Sequence, residues 1–390
     1  PEVRYNLGNI LQAKGDLPAA GACYEAAVAL QPGFALAYYN LGNVRRDQGQ
    51  LDDAIGHYRV AIEREPNLAA GHNNLGNALA QQDQLEEAIE HYQAALAIEP
   101  NFSDALYNLG NALHLFGDFE SAPKYFKASG IKDWAARSLY CAYKSENEES
   151  TGELLRTCLE TEHISPQVAA ISSHYHCRHG DEDPYQFCLD ALNTMTHRPL
   201  PEIAAGTPLN FELQSLLSNI EMSERHQGRL HNGMQSSGNL LLRDEPALVQ
   251  LASLIHLEFD HFKKRHADKD CTLIRHFPEN YQFESSWFIR MRQGGHLDAH
   301  IHETGWVSGV LYLKLPPRSA DNHEGCLELS LHGDNYPGYR EELFSSTILP
   351  IQTGDIVLFP SSLFHRTIPF TADEDRICIA FDLKPALERR

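Results

Sequence analysis

The sequence predicts a multidomain α + β protein, with an N-terminal α-solenoid of short helical repeats and a C-terminal domain built as a small β-barrel. Three observations predict it. An Asn-Leu-Gly-Asn motif returns every 34 residues over the first third of the chain. In the last third, apolar residues fall into short runs bounded by Gly, Pro and Asp, the pattern of strands and turns. On those runs stand His300, His302 and His365, followed by Arg376, residue types suited to binding a metal ion and an anion.

The repeats come first. Tyr5-Asn6-Leu7-Gly8-Asn9 is matched by Tyr39-Asn40-Leu41-Gly42-Asn43, Asn73-Asn74-Leu75-Gly76-Asn77 and Tyr107-Asn108-Leu109-Gly110-Asn111. The interval and motif resemble tetratricopeptide repeats, in which each helix–turn–helix unit buries its apolar face only on its neighbours. Gly8, Gly42, Gly76 and Gly110 are expected where the two helices of a unit press closest. Ala20, Ala54, Ala88 and Tyr24, Tyr58, Tyr92, Tyr125 are expected as packing positions of the second helix. Pro32, Pro66 and Pro100 close three units, and Trp134 stands where a fourth proline would be. The predicted division is therefore 1–133 for four repeats, 134–199 for a degenerate helical connector and 200–390 for the barrel domain.

Within the connector, helices are expected over 135–143 and 152–160, then over 166–178 and 183–194. His174, His176 and His179 cluster there, but on a helix the first two face opposite ways, so a helix end is favoured over a ligand set. Asn6, Asn40, Asn74 and Asn108 form a ladder on the first helix of each unit. An amide both donates and accepts, so such a ladder can hold the backbone of an extended peptide. It resembles the ladder in the repeats of O-linked N-acetylglucosamine transferases, which implies a protein or peptide partner. The competing reading is that these amides only fix helix packing.

In the C-terminal domain, 246–265 reads as a supporting helix and 283–291 as a strand. Residues 294–315 (GGHLDAHIHETGWVSGVLYLKL) supply His300-x-His302, entered by a Gly-Gly turn and followed by a β-rich run. Residues i and i+2 of a strand share a face, so both imidazoles can address one metal ion. Residues 354–383 (GDIVLFPSSLFHRTIPFTADEDRICIAFDL) supply a turn, an apolar strand ending in Pro360, His365, and a strand opening with Arg376.

This order of features resembles the Fe(II)- and 2-oxoglutarate-dependent oxygenases, whose core is a double-stranded β-helix (jelly roll), and most closely those fused to tetratricopeptide repeats. The resemblance covers about residues 240–383. It implies a dioxygenase (hydroxylase) with Fe(II) as metal and 2-oxoglutarate as cosubstrate, acting on a protein or peptide recruited by the repeats. His300, His302 and His365 take the metal positions. Arg376, eleven residues after His365, and Tyr312 take the place of the pair that holds the far carboxylate of 2-oxoglutarate. No catalytic residue is implied beyond the metal site. His302 departs from the superfamily, which usually has a carboxylate there. His296 and Asp298 form a literal His-x-Asp four residues upstream and stay open as alternative ligands. A cupin-type metalloenzyme and a repeat scaffold with an inactive barrel are the competing functions. Only Glu303 is available as the glutamate a cupin would need, and Arg376 favours the oxygenase.

Composition bounds the rest. A formal charge of −21 argues against a nucleic-acid partner, and the densest basic run, 263–265, reads as the solvated end of the supporting helix. Eight cysteines with no Cys-x-x-Cys suit reduced thiols and a cytoplasmic location. No apolar run approaches the ~20 residues of a membrane span. The chain starts at Pro1 already inside a repeat, which reads as a fragment of a longer array.

Overall fold

The computed structural model describes residues 1–188, 190–219, 229–236, 238–275, 281–318, 322–337 and 344–386. The chain divides into two compact units, Pro1–Thr157 and Cys158–Arg390.

The first unit is four helix pairs: α1 (Glu2–Ala13) with α2 (Leu17–Leu30), α3 (Ala35–Asp47) with α4 (Leu51–Arg64), α5 (Ala69–Gln81) with α6 (Leu85–Ile98), and α7 (Ser103–Phe116) with α8 (Ala122–Ser129). The period of 34 is a packing rule. A Cβ placed on Gly8, Gly42 or Gly76 would stand 2.6, 2.6 and 2.7 Å from the ring of Tyr24, Tyr58 or Tyr92, so only glycine lets these helices close. In the fourth pair the ring over Gly110 is Phe126, not Tyr125: Phe126 is buried, and Tyr125 is displaced by one position from the repeat register.

The asparagines tie one pair to the next. Asn40 Nδ2 donates to Asn9 Oδ1 at 2.9 Å, Asn74 Nδ2 to Asn43 Oδ1 at 2.9 Å, and Asn108 Nδ2 to Asn73 Oδ1 at 3.0 Å. The same Asn9 and Asn43 oxygens accept from the hydroxyls of Tyr24 and Tyr58 at 2.7 and 2.8 Å. Asn6 is exposed. Beyond the pairs follow α9 (Trp134–Lys144) and α10 (Glu148–Glu160).

The second unit begins with α11 (Pro166–His179), capped by Ser165, whose side chain accepts from Val168 N, and closed by Gly180 at φ 72°. The helix expected over 183–194 is not formed. Among its described residues only Ala191–Asn193 make a single 3-10 turn. Pro184 and the Asp183 carboxylate, which accepts from Ser172 Oγ and Tyr185 N, hold the segment in a turn instead. Further helices follow, among them α12 (Pro208–Asn219) and α13 (Pro246–Arg265). The latter buries Leu248, Leu251, Ile255, Phe259 and Phe262 along one stripe, and its His256 carbonyl accepts from Tyr281 Oη at 3.2 Å.

Among the described residues, nine strands make an antiparallel, nearly barrel-like sheet that forms the double-stranded β-helix: β1 (Thr196–Pro199), β2 (Leu230–Gln235), β3 (Tyr281–His300), β4 (Val307–Lys314), β5 (Leu327–Ser330), β6 (Ser346–Leu349), β7 (Asp355–Pro360), β8 (Phe364–Thr367) and β9 (Arg376–Pro385). Their order is β1-β7-β4-β9-β3-β8-β5-β6, with β2 also on β3. The long β3 joins the two faces. Its first half pairs with β9, and its second half pairs with β8, where Leu297 meets Thr367 and His300 meets His365. The strand expected at 283–291 is thus one continuous element with the Gly-Gly segment that reads as a turn. The register against β2 jumps there, with Gly294 at φ 75°. Ile289, Met291, Val310, Val357, Phe359 and Ala380 fill the interior.

Candidate metal centre

Strand alternation alone would put His296, Asp298 and His300 on one face. The register of β3 against β8 shifts between Leu297 and His300, and this bulge exchanges the faces. Leu297 and His300 turn inward to the same cavity, while Asp298 stays exposed. The strand ends at His300, so His302 lies just past it rather than on it. His365 comes from β8 opposite.

His300, His302 and His365 present ligand nitrogens within 4.8 Å of one another. Each ring is held by its other nitrogen. His300 Nδ1 is 2.8 Å from the carbonyl of Asp298, and His365 Nδ1 is 3.4 Å from the carbonyl of Leu363. His302 Nδ1 is 2.6 Å from Asp382 Oδ1 on β9. A carbonyl or carboxylate can only accept, so each Nδ1 carries the proton and each Nε2 keeps its lone pair. His300 and His302 Nε2 then face each other at 3.3 Å, which two lone pairs tolerate only with a cation between them or one proton gained.

The electrostatics of His300 and His365 agree with neutral imidazoles. Burial, and then the charge of neighbouring His302, lower the pKa of His300 to about 3. Burial and the two other imidazoles hold His365 well below the usual range. Burial opposes the charge on Asp382, yet His302 and the hydrogen bonds from His302, Ser308 and Ser285 win, and its pKa is lowered. Asp382 accepts at 2.8 Å from Ser308 Oγ and at 2.8 Å from Ser285 Oγ. It is thus a buried carboxylate directly behind a candidate ligand histidine, the kind of support that fixes the tautomer and raises the basicity of a metal-bound imidazole.

Arg376 and Tyr312 line the same cavity as the three histidines. Arg376 is 1% exposed; its Nε donates to the Gly325 carbonyl at 3.1 Å, and its guanidinium stands 5.1 Å from the centre of the Tyr312 ring. No carboxylate lies within ion-pairing distance of it among the described residues. The Tyr312 hydroxyl is buried without a hydrogen-bond partner among the same residues, and burial raises its pKa. Arg376 lacks a carboxylate partner among the described residues, its Nη1 meeting the sulfurs of Cys378 and Met291, and beside the unpartnered Tyr312 hydroxyl it fits a carboxylate ligand.

His296 and Asp298 do not join this centre. They meet His231 of β2 in a separate cluster. Sequence reasoning did not find Asp382, Ser308 or His231. Asp382 carried a signal: it is the one acidic residue in the apolar run RICIAFDL, where an acid needs a buried partner.

A family model described as "Putative 2OG-Fe(II) oxygenase" matches residues 285–382. Three tetratricopeptide-repeat models match residues 5–69, 57–90 and 76–117. No curated protein matches the chain. Among solved structures, that of MamA is 22% identical over 40% of this chain and 94% of that one, with a TM-score of 0.37. YrrB, described as a TPR protein with an unusual peptide-binding site, is 23% identical over 43% of this chain and 88% of that one, with a TM-score of 0.39. PilF of Pseudomonas aeruginosa is 20% identical over 46% of this chain and 84% of that one, with a TM-score of 0.39. From the family matches, the N-terminal part of the chain consists of tetratricopeptide repeats, and its C-terminal part carries a domain of the 2OG-Fe(II) oxygenase family.

Proposed function

We propose that the C-terminal domain is an Fe(II)- and 2-oxoglutarate-dependent dioxygenase that hydroxylates a protein or peptide recruited by the repeats. The observation that carries the proposal is one cavity holding both halves of the requirement: three imidazoles with free Nε2 lone pairs, and the Arg376–Tyr312 pair with no anion of its own. His300, His302 and His365 would hold the metal through Nε2, and Arg376 with Tyr312 would bind the far carboxylate of the cosubstrate. When bound, iron and 2-oxoglutarate would activate dioxygen, the oxidant that attacks a carbon–hydrogen bond. The chain's own part is position and dryness. Asp382 keeps the Nδ1 proton of His302, Ser308 and Ser285 hold Asp382, and the apolar walls Ile289, Val310 and Ala380 exclude water.

Beside His365 opens a cleft of about 760 Å³ whose lining includes Arg229, Glu328, Asp334 and Arg366. Such a wide, charged approach suits a polar chain better than a small apolar molecule. The tetratricopeptide repeats support interaction with a protein. Asn40 and Asn108 each spend one N–H on the neighbouring repeat, and their second N–H and oxygen supply what a groove-bound backbone would need, whereas Asn74 spends both donors on Asn43 and Tyr39.

Arg376→Met tests the assignment against a cupin-type enzyme. The variant should keep its metal while 2-oxoglutarate affinity collapses, since an unpaired buried carboxylate costs roughly 3–5 kcal/mol. Isothermal titration that finds unchanged 2-oxoglutarate affinity would reject it.

A further inference from the structure

We propose a second divalent-metal site on the outer face of the β2–β3 ribbon, formed by His231, His296 and Asp298. It takes a borderline ion such as Zn(II), with two imidazoles, one carboxylate and solvent in the remaining position. The three ligand atoms lie within 4.8 Å of one another. The site rests on side chains that the proposed oxygenase chemistry does not use.

The strand pairing builds it. His231 of β2 stands directly across from His296 of β3, and Asp298 follows two residues on, so all three share a face of the ribbon. The pairing jumps from His231–His296 to Gly233–Met291, with Asn232 at φ 47° and Gly294 at φ 75° absorbing the change. Asparagine adopts the left-handed region more readily than other side chains, which suits Asn232 to the register jump.

The donor atoms are gathered within reach of one another, and because the two imidazoles are stacked, one ring must turn for both Nε2 lone pairs to meet one ion. The rings of His231 and His296 stack at 4.3 Å and 12°. His296 Nδ1 donates to the Gly294 carbonyl at 3.0 Å, which leaves Nε2 with its lone pair 3.8 Å from Asp298 Oδ1. His231 Nε2 donates to Asp298 Oδ2 at 2.9 Å, and exchange of that proton for a metal keeps the same three atoms together. Two neutral imidazoles and one carboxylate carry a net charge of −1, so a dication is drawn to the cluster. The half-exposed position predicts weaker binding than at the buried centre, since water competes for each ligand.

The site also touches the inner centre through one residue: the Asp298 carbonyl holds His300 Nδ1 while its carboxylate faces outward.

The test is Zn(II) equilibrium dialysis of the metal-stripped full chain, wild type against His231→Ala/His296→Ala. The variant should bind one equivalent fewer than wild type, with the weaker class lost. Equal stoichiometry in the two proteins overturns the site. Diethyl pyrocarbonate footprinting of the wild type needs no folded variant: Zn(II) should protect His231 and His296 at concentrations above those that fill the inner centre, and unprotected modification of both overturns the proposal.

Discussion

Asp382→Asn is the substitution that separates a positioned metal centre from a chance meeting of histidines. The carboxylate accepts from His302 at 2.6 Å and from Ser308 and Ser285 at 2.8 Å each. An asparagine of the same shape keeps Oδ1 as the acceptor for His302, and the Ser285 hydroxyl turns to accept from the new amide. What disappears is the charge that makes His302 a stronger base. Losing a carboxylate behind a ligand histidine typically lowers metal affinity about 10–100-fold, or ~1.4–2.7 kcal/mol. The assay is competition for Zn(II) or Fe(II) against a chromophoric chelator, with thermal unfolding of the metal-free protein measured in parallel. A variant that melts like wild type and binds metal with unchanged affinity would refute the role assigned to Asp382.

Metal-free protein should lose stability on acidification. Burial, the first cause for both, lowers the pKa of His300, and likewise of His174 on α11, from the ordinary 6.5 to about 3 in the folded state. The unfolded chain therefore takes up protons first as pH falls, and stability drops across the window from about 6.5 to about 3. Melting temperatures of the chelator-treated chain between pH 8 and pH 5 check this, and a flat profile would contradict neutral buried imidazoles. In the repeats, Asn74→Ala removes donors to Asn43 Oδ1 and Tyr39 Oη. It should lower the stability of the solenoid by roughly 1–3 kcal/mol, at about 0.5–1.5 kcal/mol per bond. Denaturation showing no change would free that amide for peptide binding alone.

The solenoid was legible because its signal is local and repeated: each glycine answers to a ring 16 residues later, as in Gly42 and Tyr58. The slip from Phe126 to Tyr125 came where the fourth pair departs from consensus and leaves a neighbouring aromatic on offer. In the barrel, the order of His300, His302, His365 and Arg376 was legible, whereas the face each residue occupies was not. Alternation places His296 and Asp298 beside His300, and only the bulge against β8 moves them outward. That bulge depends on pairing with residues more than sixty positions away, which no local pattern encodes. Asp382 and His231 lie on β9 and β2, distant in sequence from the histidines they meet, so their roles follow from sheet order alone.

The central claim is that one cavity holds a metal on three histidines and 2-oxoglutarate on Arg376. Anaerobic addition of Fe(II) and then 2-oxoglutarate to the full chain, followed by visible spectroscopy, tests it most directly. A charge-transfer band should appear only with both ligands, saturate at one equivalent of each, and be lost in His365→Ala. A wild-type spectrum that stays featureless at saturating Fe(II) and 2-oxoglutarate would contradict it.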